Sequence, residues 1–214
     1  TTAGKKAVGE ALEGAKKLLK DGKVPPGLSE RDDALCRALT GERLTLVRCG
    51  GPGELLHALP FFKGYGEMKI TYVGPAHLYR VAEELAKAKA SVLVPAAMTY
   101  APETTNRVNA ARELWEAKVN VACYPEADSV PAFRQLLLQL AHLVRAGLPR
   151  DVALKAVTLT AAESIGFEYR LGSLEPGKDA NLLVLSGDPF SPTTRVDRVV
   201  WEGRNVYEDG GGAE

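Results

Sequence analysis

Four short apolar segments alternate with amphipathic segments of helical length, and this alternation limits the fold more than any other feature. The apolar segments begin at residues 44, 69, 91 and 119, so successive starts are 25, 22 and 28 residues apart. Each has the length of a strand and is followed by apolar residues at helical spacing. Strands that alternate with helices in this way form βαβ units, whose right-handed crossovers produce a parallel sheet.

The apolar pattern and the helix-breaking residues set the expected boundaries. The predicted strands cover 44–48, 69–73, 91–94 and 119–124, and the helices that follow them cover 52–62, 76–88, 105–117 and 131–146. Helices are also predicted at 3–20, 30–39, 148–158 and 160–165. Ser29 stands directly before the second of these and is its expected N-cap.

The C-terminal stretch 171–207 carries a recognisable motif, RLGSLEPGKDANLLVLSGDPFSPTTRVDRVVWEGRNVY. It resembles the C-terminal signature of the amidohydrolase superfamily: G-S-L-x-P-G-K-x-A-D-L-V-V, then G-D-P, then a closing hairpin. The stretch 147–162 also resembles that family, with G-L-x-x-x-x-A-L-x-A-x-T in its pattern. Across residues 40–208 the chain is most similar to imidazolonepropionase-like and prolidase-like members. The resemblance implies a TIM barrel of a mostly metal-dependent hydrolase.

The expected fold is therefore α/β, the C-terminal half of a TIM (β/α)₈ barrel plus strands of a small β-sandwich. Residues 1–40 form a helical lead-in, 41–168 a partial barrel of four βα units, 169–208 the sandwich strands and 209–214 a disordered tail. A complete barrel needs about 250 residues, more than the 214 present. Four units leave two open strand edges, which favour aggregation unless they are covered.

Composition excludes several classes of partner. The 27 basic residues balance the 27 acidic ones, so no footprint for nucleic acid or an anionic membrane surface is present. No apolar run approaches the roughly 20 residues of a membrane span. Cys36, Cys49 and Cys123 are too far apart for a CxxC site, and their odd number does not suggest a disulfide framework. They are expected to be buried apolar residues.

The metal-ligand positions implied by the resemblance are mostly lost. The family's first strand carries a His-x-His pair, and no HxH occurs in this sequence. Arg48 stands where the fifth barrel strand should end in a histidine, and Gly74 where the sixth should. Glu126 replaces the aspartate of the eighth strand, and Asp128 follows two residues later. Because a permanent cation at a ligand position repels a metal ion, the sequence predicts no metal bound by this chain alone.

Glu126 and Asp128 are the catalytic candidates, and Asp128 is alternatively the cap of the helix that starts near residue 131. Arg48 either occupies the vacated metal position and pairs with Glu126, or both are separate solvated residues at the rim. A double-mutant cycle would separate these two interpretations.

Three further residues are candidates for ligand binding. Cys49 is either a thiol whose pKa is lowered by the neighbouring Arg48 or an inert residue that lacks a base. His77 is either a displaced acid–base group or a solvated residue in the first turn of a helix. Tyr100 follows the third strand and either lines a pocket or packs within a loop.

Three functions stay open. The leading one is a catalytically inactive, amidohydrolase-like chain that binds no cofactor. It plays a structural or regulatory role by completing a barrel with an N-terminal half or with a homologous amidohydrolase chain. The second is a metal-dependent hydrolase of C–N bonds in cyclic amides or peptides. Its zinc or other divalent ion is held mainly by a half outside this sequence, with Glu126 or Asp128 contributing. The third is a small-molecule binding module around Arg48, Tyr100 and Glu126. No sequence feature indicates a compartment.

Overall fold

The computed structural model describes residues 2–209, with side chains from residue 4 onward. The strands are β1 (Thr45–Arg48), β2 (Ile70–Val73), β3 (Ser91–Pro95), β4 (Thr99–Tyr100), β5 (Arg107–Val108), β6 (Asn120–Tyr124), β7 (Leu182–Leu185), β8 (Val196–Trp201) and β9 (Arg204–Glu208). The helices are α1 (Thr2–Leu18), α2 (Glu30–Leu39), α3 (Pro52–Lys63), α4 (Ala82–Lys87), α5 (Ala110–Glu116), α6 (Val130–Arg134), α7 (Leu136–Arg145), α8 (Arg150–Ala156) and α9 (Leu159–Ile165). A 3₁₀ helix, Ala76–Val81, directly precedes α4.

The predicted parallel sheet is confirmed. Its strand order is β1-β2-β3-β6, and every neighbouring pair is parallel. The register places Val47 beside Tyr72, and Val73 beside Leu93. Consecutive βα units therefore lie side by side, as expected of right-handed crossovers, and together they resemble part of a barrel wall.

One face of this sheet holds the hydrophobic core. Val92, Val94, Val121 and Cys123 lie in a single buried cluster with leucines from the surrounding helices. The fully buried leucines of that cluster are Leu55, Leu78, Leu85, Leu114, Leu140, Leu143 and Leu148. Burial of one such side chain stabilises the fold by about 1.5–3 kcal/mol. The helices thus hold the strand ends in fixed positions.

The opposite face of the sheet is less covered. Leu46 on β1 is 53% exposed, and Val73 and Leu93 are only partly buried. Helix α9 contacts β3 and β6, and its C-cap Gly166 adopts a left-handed conformation close to Leu44, just before β1 begins. The C-terminal end of this helix therefore lies near the end of the sheet at which β1 starts.

Three predicted helices have different boundaries. The helix expected over 105–117 begins only at Ala110, because β4 and β5 form a small antiparallel hairpin and Asn109 caps α5. The helix expected over 76–88 starts with the 3₁₀ segment. The helix expected over 131–146 is divided into α6 and α7 at Gln135. The cap by Ser29 is confirmed, since its hydroxyl accepts a hydrogen bond from the Asp32 N–H at 3.2 Å.

The C-terminal segment forms an antiparallel sheet in the order β7-β8-β9. A sandwich needs a second sheet, and within residues 169–208 the structure describes one, so the sandwich stays a prediction. Arg150 joins this segment to α8 through an ion pair with Asp188 at 2.5 Å, and its guanidinium lies over the Phe190 ring. Asp209 donates its N–H to the Asp197 carbonyl, and the rest of the tail predicted at 209–214 lies outside the described residues.

Two compositional predictions can be compared with the fold. Cys36, Cys49 and Cys123 are all buried free thiols, which confirms their expected role as small apolar residues. In the described part of the chain, no helix combines the length and the apolar character that crossing a membrane requires.

Candidate functional site

The carboxyl ends of β1, β2, β3 and β6 meet at one rim, because all four strands run in the same direction. This is the rim at which barrel enzymes place their active sites. Arg48 ends β1, Gly74 follows β2, and Glu126 lies two residues beyond β6. The residues predicted from the sequence thus lie at the ends of strands in the same sheet. Their contacts determine whether they can bind a metal ion or take part in catalysis.

Gly74 has no room for a side chain. A β-carbon at this position would lie 2.6 Å from Leu78 Cδ1 and 2.8 Å from the Cys49 carbonyl oxygen. Both distances are shorter than β-carbon contacts in folded proteins, and one neighbour is backbone. Leu78 is itself fully buried, so it cannot move out into solvent without loss of core packing. The space for a histidine ligand at the end of β2 is therefore filled.

Arg48 is exposed at the end of the edge strand and lies close enough to Tyr124 to influence it electrostatically. Burial raises the pKa of the Tyr124 hydroxyl, and the Arg48 cation opposes part of that rise. The Tyr124 hydroxyl donates a hydrogen bond to the Gly74 carbonyl at 3.2 Å. Among residues 4–209 no ion pair joins Arg48 to Glu126, and the pairing of these two residues stays a hypothesis.

The lowered pKa considered for Cys49 is wrong. Burial raises the pKa of this thiol to about 11, and the Glu54 carboxylate adds to the rise. Arg48 and Cys49 are consecutive residues of extended backbone, so their side chains point to opposite faces of the sheet. Cys49 faces the core with Tyr72, while Arg48 faces solvent. Cys49 is therefore protonated at neutral pH and unsuited to nucleophilic attack.

Glu54 is a site residue that the sequence patterns did not single out. Its carboxylate accepts a hydrogen bond from the Gly50 N–H at 2.7 Å and so holds the loop between β1 and α3. The signal was present, since an acidic residue in the first turn of a helix is a common partner for unpaired N–H groups. His77 lies in the first turn of the 3₁₀ helix, next to Gly51 of the same loop.

Glu126 and Asp128 are both exposed. The structure corrects the alternative role of Asp128, because Ser129 is the residue that caps α6, with its hydroxyl accepting from the Ala132 N–H at 3.4 Å. Asp128 precedes that cap by one residue. The roles of Glu126 and Asp128 in catalysis remain predictions.

Two cavities separate the predicted ligand-binding residues. A groove of about 600 Å³ lies between α1, β1 and α3, and Arg48 and Cys49 belong to its lining. Tyr100 instead lines an open cavity of about 820 Å³ formed by the turn of the β4–β5 hairpin, residues 100–106. Glu126 lines neither of these cavities. The residues proposed for one binding module thus belong to different surfaces.

The rim residues of this chain do not form a catalytic metal site by themselves. Of the implied ligand positions, three fall on the strand ends of this chain: one holds the cation of Arg48, one has no space for a side chain, and only Glu126 offers an oxygen ligand. Across the residues that the structure describes, no three His, Cys, Asp or Glu side chains converge in a metal-binding arrangement. A zinc ion requires at least three protein ligands at a catalytic site.

Comparison with known proteins identifies the family to which this chain is similar. The model of the Amidohydrolase family matches residues 65–206, which is more than half of the chain. The amidohydrolase TasK of Hapsidospora irregularis is 29% identical over 86 residues, which are 40% of this chain and 9% of that protein.

Solved structures share the fold. An amidohydrolase from Thermotoga maritima superposes with a TM-score of 0.72 at 24% identity, over 97% of this chain and 54% of that one. An adenosine deaminase from Xanthomonas campestris with bound zinc superposes with a TM-score of 0.54 at 19% identity, over 92% of this chain and 55% of that one. The chain therefore spans about half the length of these structures, and a small part of the curated relative.

Proposed function

Because the chain belongs to the amidohydrolase family, we propose that it is a half-barrel without metal chemistry of its own, which plays a structural or regulatory role with an N-terminal barrel half or a homologous amidohydrolase chain. The observation that carries this proposal is the filled space at position 74, where Leu78 and the Cys49 carbonyl exclude a ligand side chain. The cation of Arg48 supports it, since a guanidinium at the rim opposes the binding of a divalent ion.

The sheet supports the proposal that further strands complete this half-barrel. β1 and β6 are the outer strands of the parallel sheet, and one sheet face is only partly covered. Parallel sheets are stable when both faces are buried and their edges are paired or covered. A polypeptide that supplies the remaining strands of a barrel satisfies both requirements. A related N-terminal half or a homologous amidohydrolase chain has the matching architecture.

A metal-dependent hydrolase of C–N bonds is the second candidate. It is favoured by one observation, the exposed carboxylate of Glu126 just beyond the end of β6. In that case the ion is held by the other half of the barrel, and Glu126 or Asp128 completes the site or acts as a base. The neighbour with bound zinc has such a metal, and its likeness to this chain is one of fold.

One sample distinguishes the two candidates. The protein is purified from its source cells, and native mass spectrometry, metal analysis and hydrolysis of proline dipeptides and cyclic amides are measured with and without added zinc. We expect a complex with a second polypeptide, no stoichiometric metal on this chain, and no turnover by this chain alone. Zinc-stimulated turnover by the isolated chain that is lost in Glu126→Gln, while the matched variant Glu103→Gln keeps it, would contradict the proposal.

A further inference from the structure

Pro95 interrupts the hydrogen-bond ladder between β2 and β3. The Gly74 N–H donates to the Leu93 carbonyl at 3.1 Å. In a regular parallel ladder, the Gly74 carbonyl would then accept from the N–H of residue 95, two positions beyond Leu93. Pro95 is the last residue of β3, and a proline has no backbone N–H. Because Gly74 is buried, its carbonyl needs a donor from elsewhere in the chain.

The Tyr124 hydroxyl supplies this donor. It donates to the Gly74 carbonyl at 3.2 Å, although β3 lies between β6 and β2 in the sheet. Tyr124 is the register partner of Pro95, and its own carbonyl accepts from the Ala96 N–H at 2.8 Å. Neighbouring strands lie about 4.8 Å apart, so the Tyr124 side chain crosses β3 to reach the end of β2. The tyrosine thus stands at the register position from which it can replace the missing N–H.

The Tyr124 ring lies on the face of the sheet opposite the hydrophobic core. Cys123 belongs to the core cluster, and successive side chains of a strand point to opposite faces. Arg48 lies on the same face and is close enough to Tyr124 to influence it electrostatically. Positions 74 and 126, at which the resemblance implies ligands, flank the ring: the Gly74 carbonyl accepts from its hydroxyl, and Glu126 follows Tyr124 by two residues. The phenol therefore spans the rim between two of the implied ligand positions.

We propose that Tyr124 closes the rim of this half-barrel. Its hydroxyl takes the place of the N–H that Pro95 lacks, and its ring covers the inner face between positions 74 and 126, which a metal ion or a small ligand would otherwise enter. A hydrogen bond within the chain thereby ties the ends of β2 and β6 together without an ion. This inference deepens the proposed function and rests on it, since a closed rim suits a chain without metal chemistry of its own.

A double-mutant cycle tests the exchange of donors. Tyr124→Phe keeps the ring and removes the hydroxyl, while Pro95→Ala restores a backbone N–H that can pair with the Gly74 carbonyl. We expect Tyr124→Phe to raise the equilibrium constant of unfolding about fivefold in the wild type and less than about twofold in the Pro95→Ala background. Tyr207→Phe, which removes the hydroxyl of a half-exposed tyrosine on β9, is the matched control and should change little in either background.

A ligand that imitates the side chain tests the closed rim. We would add 4-methylphenol at millimolar concentration to the isotope-labelled full chain and follow the carbonyl carbon of Gly74 by NMR. In Tyr124→Ala this signal should move upfield because the hydrogen bond is lost, and 4-methylphenol should return it toward its original position. Toluene has the same ring without a hydroxyl and should not. The wild type should not respond to either compound, because its own ring fills the space.

Equal losses for Tyr124→Phe in the two backgrounds would overturn the exchange of donors. Equal responses of the wild type and Tyr124→Ala to 4-methylphenol would overturn the closed rim. If Tyr124→Ala does not fold, the cycle with Tyr124→Phe decides alone. The proposed function fails by a different measurement, since zinc-stimulated turnover by a chain that keeps the coupling would contradict only the function. A metal-free, inactive chain without the coupling would contradict only the role of Tyr124.

Discussion

Leu78 occupies the space that a side chain at position 74 would need, since a β-carbon on Gly74 would lie 2.6 Å from Leu78 Cδ1. The two residues belong to one βα unit. Gly74 directly follows β2, and Leu78 lies in the 3₁₀ helix that comes next. The core packing of this unit therefore excludes a side chain at position 74 of the rim. A ligand at position 74 would require a different packing of the helix.

Gly74→Ala should therefore lower the free energy of unfolding, by about 1–3 kcal/mol, as expected for overpacking of a filled site. Gly53→Ala is the matched control, because its β-carbon would meet nothing within 4 Å, and this change should be neutral or slightly stabilising. The Gly74→Ala/Leu78→Ala double variant should lose less stability than the sum of the losses of the two single variants, because Leu78→Ala makes room for the added β-carbon. Urea unfolding is measured for five proteins: the wild type, Gly74→Ala, Gly53→Ala, Leu78→Ala and the double variant. Equal stability of Gly74→Ala and Gly53→Ala would show that position 74 has space.

Removal of the Arg48 cation should raise the pKa of the Tyr124 hydroxyl further. Burial already raises that pKa, and Arg48 lowers it because the cation stabilises the phenolate. Ultraviolet titration of phenolate absorbance measures the shift, with Tyr124→Phe as the background for the other tyrosines. Arg48→Ala should show the higher pKa, and Arg48→Lys should stay close to the wild type. An unchanged Tyr124 pKa in Arg48→Ala would place the guanidinium away from the ring.

The parallel sheet could be predicted from the sequence because its signal is local. Each strand is a short apolar run, and each helix has apolar residues at helical spacing. The order β1-β2-β3-β6 therefore follows from the alternation of strands and helices along the chain. The helix start at Ala110 was missed because β5 pairs with β4, and such pairing depends on tertiary structure rather than on local propensity.

The candidate site was harder to predict because it depends on burial and direction. The pKa expected for Cys49 was based on its neighbour Arg48 in the sequence. Successive side chains of a strand point to opposite faces, so sequence neighbours on a strand do not face each other. The filling of position 74 by Leu78 depends on the geometry of the 3₁₀ helix and has no sequence signal of its own. The groove beside β1 brings α1 and α3 together across more than forty residues of chain, and local patterns cannot show that.

Asn109 joins α5 to α7, and its removal should be costly. Its side-chain oxygen accepts from the Arg112 N–H at 3.1 Å, and its amide donates to the Leu143 carbonyl at 2.8 Å. Asn109→Ala loses a cap worth about 1 kcal/mol and the hydrogen bond to the Leu143 carbonyl, worth about 0.5–1.5 kcal/mol, while that carbonyl still accepts from the Leu148 N–H at 3.0 Å. Ser29→Ala is the control, since both hydrogen bonds of this exposed cap, to the Asp32 N–H and the Asp32 carboxylate, stay within the first turn of its own helix. If both variants lose equal stability in urea unfolding, the link to Leu143 contributes nothing.

Stability should fall at alkaline pH because buried groups resist ionisation in the folded state. Burial raises the pKa of Cys49 from 9.0 to about 11, of Cys123 from 9.0 to about 12 and of Tyr72 from 10.0 to about 12. A raised folded pKa contributes stability that is fully present below the unfolded value and is lost as pH rises through the folded value. The loss should therefore begin near pH 9 and continue to about pH 12.

Cys123→Ala separates this effect from general alkaline denaturation. Cys123 lies within the core, so the variant should be less stable than the wild type at neutral pH, because a buried sulfur is removed. Its free energy of unfolding should nevertheless fall less steeply above pH 9, since one fewer proton is released on unfolding. Urea unfolding at a series of pH values gives both slopes. Parallel curves for the two proteins would mean that the Cys123 thiol titrates alike in the folded and unfolded chains.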